Sequence, residues 1–289
     1  MKPAAFDLLR PDSLEEALQA LTAHQEADIK ALAGGQSLIP MMNFRVAQPS
    51  VLVDLERIPD LRGIEEDGDW ISIRPMTRHF EVKASPVVAK HLPLVREAYE
   101  HVAHFTIRNR GTLGGNLSHA DPASEMPCVM NALDADFVLQ NASSVRTVPA
   151  REFYLGPFTT AIEPDELLVQ IRIPKAQADE RFAFEEVSLR KGDFAMSAVA
   201  VRLAFDGDVC RSAGIALAGV AGTPVHAEAA EAELVGQPVN PDAAARAASS
   251  MIETIVFEGS ANITAEYRRH VTRVLIERAI IRAVASPRI

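Results

Sequence analysis

Two short stretches carry residue types suited to holding an anion through the backbone. The first is Ala31-Leu-Ala-Gly-Gly-Gln-Ser37, an apolar run that enters adjacent glycines and then an amide and a hydroxyl. Glycine accepts positive φ and lets N–H groups approach a ligand with no Cβ between them. Successive N–H groups in such a turn make a concave anion site, which would suit a pyrophosphate. The second stretch is Gly111-Thr-Leu-Gly-Gly-Asn116, preceded by the basic Arg108-Asn-Arg110. Taken alone, each reads first as an ordinary glycine-rich turn, and neither is the G-x-G-x-x-G dinucleotide pattern. Together they predict two loops that clamp one pyrophosphate from both sides by N–H dipoles, with little need of Lys or Arg.

Other chemistries find less support. The chain of 289 residues has only two cysteines, Cys128 and Cys210, too few for an iron–sulfur cluster, a zinc finger or a disulfide framework. Any metal redox centre is therefore expected on another chain. Cys128 lies between Pro127 and Val129 and reads as a packing residue. His91, His101, His104 and His119 cluster in sequence without further ligands, so polar surface and loop contacts are favoured over a metal. His119 and Asp121 follow the second glycine stretch and are read as contacting a ligand or ordering the loop. No G-x-S-x-G elbow occurs. The net charge of −10, from 29 Lys plus Arg against 39 Asp plus Glu, argues against nucleic acid as the main partner. No apolar leader or membrane-length run appears, so a cytoplasmic location is expected.

The elements that must position these stretches follow from periodicity. Strands are predicted at 4–9, 29–33, 51–55, 71–73, 137–139, 145–148 and 167–173. A capping box, Ser13 with Glu16, opens a helix whose stripe is Leu14, Ala17, Leu18 and Leu21. Helices are also expected over 91–103 and 127–133. The polar, proline-led segment 174–180 marks a domain boundary. Beyond it, strands at 181–189, 196–205 and 209–219, the last two joined by an Asp206-Gly207-Asp208 hairpin turn, precede helices near 226–235, 241–255 and 263–285. Strands followed by helices imply an α+β C-terminal domain.

The two stretches AGGQS at 33–37 and TLGGN at 112–116 closely resemble the FAD-binding motifs of the flavoprotein subunits of molybdenum hydroxylases, such as the carbon monoxide dehydrogenase medium subunit and the xanthine dehydrogenase flavin domain. The resemblance continues through IPMMNFRVAQPSVLVDL at 39–55, NLSHADPASEMP at 116–127, FEEVSLRKGDFAMSAVAV at 184–201 and AEYRRHVTRVLIERAI at 265–280. It implies an α+β fold: a two-lobed vanillyl-alcohol-oxidase/MurB-type (PCMH-type) FAD-binding domain over 1–176, with lobes near 1–56 and 57–176. A small α+β domain with a three-stranded antiparallel sheet and helices would follow over 177–289.

By position, the resemblance implies cofactor contacts at Lys30, Ala31, Leu32, Ala33, Gly34, Gly35, Gln36, Ser37 and Leu38 in the first motif, and at Gly111, Thr112, Gly114, Gly115 and Asn116 in the second. It adds Val102 beside the cofactor, Ser124 and Glu125 where the family has a small polar residue followed by Asp, and Leu168 over the flavin ring. Arg190 or Lys191 would supply a cation near the ring, where it would stabilise negative charge. Glu185 stands where the xanthine dehydrogenase flavin domain carries Lys, a departure from the pattern. No catalytic residue and no metal ligand is implied on this chain. The function implied is an oxidoreductase subunit that binds FAD and passes electrons from [2Fe–2S] clusters on a small partner subunit to an external acceptor. A large partner would carry a molybdopterin cofactor, in a dimer of heterotrimers. The alternative is a free-standing FAD-dependent oxidoreductase of the same fold with its own substrate pocket.

Overall fold

A computed structural model of the chain describes residues 2–24, 27–260 and 263–287. The first lobe holds β1 (Asp7–Leu9), α1 (Leu14–Ala23), β2 (Ile29–Leu32), α2 (Leu38–Asn43) and β3 (Val51–Asp54). Its strands form a parallel sheet in the order β1-β3-β2. The expected cap is present: Ser13 Oγ accepts the Glu16 amide at 3.2 Å, and the Glu16 carboxylate accepts the Asp12 amide at 2.9 Å. Ala17, Leu18 and Leu21 are then buried on one face of α1.

The second lobe begins with β4 (Ile64–Asp67) and β5 (Trp70–Ile73). Short helices follow: α3 (His79–Ala84), α4 (Pro86–His91), α5 (Pro93–Ala98), α6 (Phe105–Arg108), α7 (Leu113–His119) and α8 (Glu125–Ala132). After them come β6 (Asp136–Gln140), β7 (Val145–Pro149), α9 (Ala150–Phe153), the hairpin β8 (Tyr154–Gly156) and β9 (Thr159–Thr160), and β10 (Leu167–Pro174). Its five-stranded antiparallel sheet has the order β4-β5-β10-β6-β7. The helix expected over 91–103 is interrupted. Pro93 cannot donate to an earlier turn, so Leu92 leaves the helical region (φ −131°, ψ 62°) and α5 starts afresh. The helix expected from 127 starts at Glu125, because Pro127 is tolerated within a first turn.

A bulge in β10 between Leu168 and Gln170 shifts its alternation. Leu168, Ile171 and Ile173 therefore join the core beneath α5, α7 and α8, while Leu167 and Val169 face the first lobe with Leu18, Val53 and Met76.

The C-terminal region has β11 (Glu180–Ser188), β12 (Ala195–Asp206), β13 (Val209–Ala218), β14 (Val225–His226), α10 (Glu228–Ala232), α11 (Pro241–Thr254) and α12 (Ala265–Ala285). The antiparallel sheet has four strands rather than the expected three: the chain after β13 doubles back, and β14 pairs Val225 with Leu217 and His226 with Ala216. One face, including Val199, Val201 and Leu217, packs on α11 and α12. The other presents Phe182, Phe184, Ala198, Ala200, Ala216 and Ala218 to the second lobe and belongs to the same core as Ile71 and Phe137. The small residues let α8 lie close: a Cβ on Gly214 would stand 3.0 Å from the Arg202 guanidinium and collide with the Ala132 carbonyl. Arg202 ties the seam, donating to Asp134 Oδ2 (2.7 Å), Glu180 Oε1 (3.1 Å) and the Ala132 carbonyl (3.2 Å). Among the described residues, no helix is long and apolar enough to cross a membrane.

Candidate functional site

The first glycine motif is the turn from β2 into α2. Gly35 takes φ +72°, a conformation that L side chains rarely adopt. The Gly35 carbonyl accepts the Ile39 amide (3.2 Å), and the Gln36 side chain donates to the Gly34 carbonyl (3.2 Å). The amides of Gly34, Gly35, Gln36 and Ser37 donate to no protein acceptor among the described residues. Ser37 stands at the N-cap of α2 without making a side-chain capping bond. Lys30 is exposed on β2, and Ala33 through Gly35 are half-buried. The turn is thus a concave run of free donors ending in a free hydroxyl.

The second motif is different, and here the two-sided clamp needs correction. Residues from Leu113 onward are helix α7, with Thr112 as its N-cap. The Leu113 amide donates to the Thr77 carbonyl (3.0 Å), Gly114 to Pro75 (2.9 Å), Gly115 to Thr112 Oγ1 (3.1 Å) and Asn116 to the Thr112 carbonyl (3.0 Å). These donors are already satisfied and are not available to a phosphate. The glycines serve close packing instead. A Cβ on Gly114 would lie 2.6 Å from Pro75 Cα, and one on Gly115 would lie 3.1 Å from the Ala33 Cβ. A Cβ on Gly34 would lie 2.7 Å from Gly111 Cα. The motifs therefore abut backbone to backbone, the second forming a wall against which the first presents its amides.

Beneath that wall lie two buried residues that the sequence does not single out. A Cβ on Gly111 would lie 3.0 Å from His79 Cδ2, and His79 Nδ1 is 3.1 Å from the Tyr99 hydroxyl. Burial, helped by the nearby Arg108 charge, pushes the His79 pKa down to about 4, so the ring is neutral. Arg108 itself donates to the Val102 (2.7 Å) and Ala103 (2.6 Å) carbonyls and holds that turn in place.

From α7 the site extends to α8. Asn116 Nδ2 donates to Ser124 Oγ at 2.7 Å, while its Oδ1 is buried without a partner among the described residues. Asp121 orders this connection: its Oδ1 accepts the Ala123 amide (2.9 Å) and its carbonyl accepts the Ser124 amide (3.0 Å). His119 packs its ring on Phe158 at 5.2 Å. Glu125 is 4% exposed at the start of α8. Its pKa is raised to about 8, mainly by burial and then by the Glu186 charge.

The C-terminal region closes the arrangement. The Ala195 amide donates to the Ala123 carbonyl (3.2 Å), and a Cβ on Gly192 would stand 2.9 Å from His104 Nδ1. Loop 189–194, with Arg190 and Lys191 exposed, thereby lies against the 102–104 turn that includes the buried Val102. Leu168 is buried in the core at β10 and is 5% exposed. Glu185 points the other way, toward α12, with Oε1 3.2 Å from Arg282 and Oε2 3.9 Å from Arg278. The structure thus brings together both motifs, Val102, Ser124, Glu125 and loop 189–194, and turns Glu185 aside.

Residues 4–176 match the family described as the FAD binding domain in molybdopterin dehydrogenase. The chain belongs to this family. Residues 182–283 match the CO dehydrogenase flavoprotein C-terminal domain. The family's FAD is consistent with this site: free amides for phosphate oxygens on the first motif, and an Asn116 carbonyl oxygen on the second that has no partner among the described residues. The chain is 41% identical over 286 residues to the carbon monoxide dehydrogenase medium chain of Afipia carboxidovorans, covering 99% of each. It is 39% identical over 284 residues to the caffeine dehydrogenase subunit beta of a Pseudomonas species, covering 98% of this chain and 96% of that one. Among solved structures, it superposes with a TM-score of 0.96 on a chain of the Hydrogenophaga pseudoflava carbon monoxide dehydrogenase that lacks the Mo-pyranopterin moiety, at 38% identity and 99% coverage of both. Its relatives are oxidoreductase subunits.

Proposed function

We propose that this chain is the FAD-binding electron-transfer subunit of a cytoplasmic molybdenum hydroxylase. Electrons would pass from [2Fe–2S] clusters on a small partner through FAD to an external acceptor, and a large partner would hold the molybdopterin cofactor, in a dimer of heterotrimers. The observation that carries the reading is the run of free amides at 34–37 seated against the second motif, within a chain that matches subunits of such enzymes over its whole length. FAD, when bound, supplies a centre that accepts and releases electrons.

This chain's part is binding and orientation. The Gly34–Ser37 amides and the Ser37 hydroxyl hold the pyrophosphate, with Lys30, Ala31, Leu32, Ala33 and Leu38 shaping that turn. Gly111, Thr112, Gly114 and Gly115 form the wall. Asn116, Ser124 and Glu125 offer polar contacts beyond it, while Val102 and Leu168 exclude water. Arg190 or Lys191, both exposed on loop 189–194, would supply the cation near the ring. The reading divides the chain at 176/177, with lobes near 1–56 and 57–176. Relatives named for carbon monoxide and for caffeine both match this chain over nearly its whole length, which supports placing substrate choice on another chain.

The test is co-purification from the native source with cofactor analysis. Iron, molybdenum and FAD eluting with a small and a large partner support the reading. A chain that elutes alone with FAD and turns over an organic substrate replaces it with the free-standing oxidoreductase.

A further inference from the structure

Alternation along β11 puts Phe182, Phe184 and Glu186 on the face toward α5 and α8, and Ala183 and Glu185 on the face toward α11 and α12. Two of the first three pack as core residues. The third is a carboxylate whose side chain is 1% exposed and whose Oε2 has no hydrogen-bond partner among the described residues. Across the seam, where Ala195, paired with Ser188 of β11, donates its amide to the Ala123 carbonyl (3.2 Å), stands Glu125, 4% exposed. Each raises a question that an ionised pair cannot answer, because like charges removed from water and from cations cannot both be kept.

The surrounding charges do not relieve them. On β11, Glu185 is committed to Arg282, and the Ser188 hydroxyl donates to the Arg190 carbonyl (3.0 Å). Beyond α5, His101 Nδ1 is 3.9 Å from Glu186 Oε1, too far for a hydrogen bond; burial lowers the His101 pKa, with Arg282 and Lys191 lowering it and Glu185 raising it. Before α8, Asp121 adds a further negative charge. Tyr99 and Cys128 are buried and neutral. Among the described residues, neither carboxyl forms an ion pair with a Lys or Arg. Burial raises Glu186 to about 7, with the Ser188 hydroxyl acting in the lowering direction, and burial and then the Glu186 charge raise Glu125 to about 8.

We propose that Glu125 and Glu186 share one proton at neutral pH, and that the neutral carboxyl so kept on Glu125 donates a hydrogen bond to an acceptor oxygen or nitrogen of FAD. The inference rests on the reading that Glu125 contacts FAD. Glu186 touches no cofactor in this scheme; it is a positioning residue, supplied by the C-terminal sheet, that keeps the proton on its neighbour. A carboxyl held neutral in this way becomes a donor, a role an ionised carboxylate cannot play.

The experiment uses the full chain stripped of FAD. Its affinity for added FAD is read from flavin fluorescence at pH 6, 7, 8 and 9, and infrared difference spectra between pH 6 and 9 report protonated carboxyl groups. In the wild type, Kd should rise by about tenfold per pH unit once the pair has lost its proton, because only the protonated fraction binds. Glu125→Gln should bind with a flat profile, since its amide donates at every pH. Glu186→Gln should move the loss of affinity to lower pH, because the charge that retains the Glu125 proton is gone. The protonated-carboxyl signal should weaken in both variants, and thermal melting checks that each is folded.

No protonated carboxyl in the wild type at pH 6 to 7, or a Glu125→Gln variant that keeps the wild-type pH profile, overturns the proposal. A protonated pair with a flat wild-type Kd overturns the donation and, with it, the Glu125 contact, while FAD binding itself stands. A chain that takes up no FAD at any pH overturns the functional reading as well.

Discussion

Gly34-Gly35 and Gly114-Gly115 are alike as letters, yet their amides have opposite fates. In the first pair the chain turns through φ +72° and leaves a run of donors free. In the second, each amide is spent on Pro75 or Thr112, and the missing Cβ admits a neighbouring backbone. One pair leaves donors open to a ligand, and the other is masonry behind it. The same dipeptide can therefore be required for function at one place and for folding at the next.

Substitution separates the two roles, and the largest effect is expected in the second pair. Gly114→Val drives a branched side chain into Pro75 and should cost about 3 kcal/mol, lowering the Tm of FAD-free protein by roughly 5 °C. Loss of FAD with Tm intact would make Gly114 part of the recognition surface after all. Gly35→Ala should do the reverse. Holding φ +72° costs alanine about 1–2 kcal/mol, and a misaimed amide loses about 1.5–3 kcal/mol to a charged ligand, so FAD Kd should rise about 10- to 100-fold while the protein remains folded.

The two hydroxyls make a finer comparison. Thr112 caps its helix and Ser37 does not. Thr112→Val should cost about 1 kcal/mol in denaturant melts. Ser37→Ala should leave stability within about 0.5 kcal/mol and weaken FAD binding instead. Equal stability losses in the two variants would erase the distinction.

The last contrast is a pH slope. His79, behind the wall, has its folded pKa lowered to about 4 against an ordinary 6.5. Its contribution is fully present above pH 6.5 and is lost as pH falls toward 4, where the unfolded chain binds the proton first. His79→Gln should flatten Tm against pH in that window. Glu125 and Glu186, with raised folded pKa values, act in the opposite direction: their contribution is present below the ordinary carboxyl pKa and is lost as pH rises through about 7 to 8.

Much of the scaffold was legible in the sequence because its periodicity is local. The three long C-terminal strands fall within a residue or so of their expected ends, since alternation and the Asp206-Gly207-Asp208 turn both act over neighbouring residues. The first motif was legible as a donor turn for the same reason. The second misled, because the acceptor for Gly114 is Pro75, remote in sequence, and only folding reveals that the amide is taken. Continuing a helix through Pro93 ignored a missing N–H. On α12, the hydroxyl of Thr272 joins the buried stripe of Leu275, Ile276, Ala279, Ile280 and Ala283, and it can be buried because it bonds Ser197 (2.9 Å), a partner remote in sequence. His79 gave no signal, as its partner Tyr99 lies elsewhere in the chain. Glu186 did give one: it continues the parity of Phe182 and Phe184, and a charge at a core-facing position is a warning that composition alone conceals.

The alanine face of the C-terminal sheet has a consequence for inheritance. Ala198, Ala200, Ala216 and Ala218 are small where α8 rests on them, and Gly214 has no side chain beneath the Ala132 carbonyl. Helix and sheet are therefore cut to one another's depth. A recombinant that joins the first 176 residues of one relative to the remainder of another would exchange one half of a matched surface. Such chimeras should survive only when α8 travels with the sheet it lies on, so the unit that evolution can shuffle crosses the boundary at which the two sequence families meet.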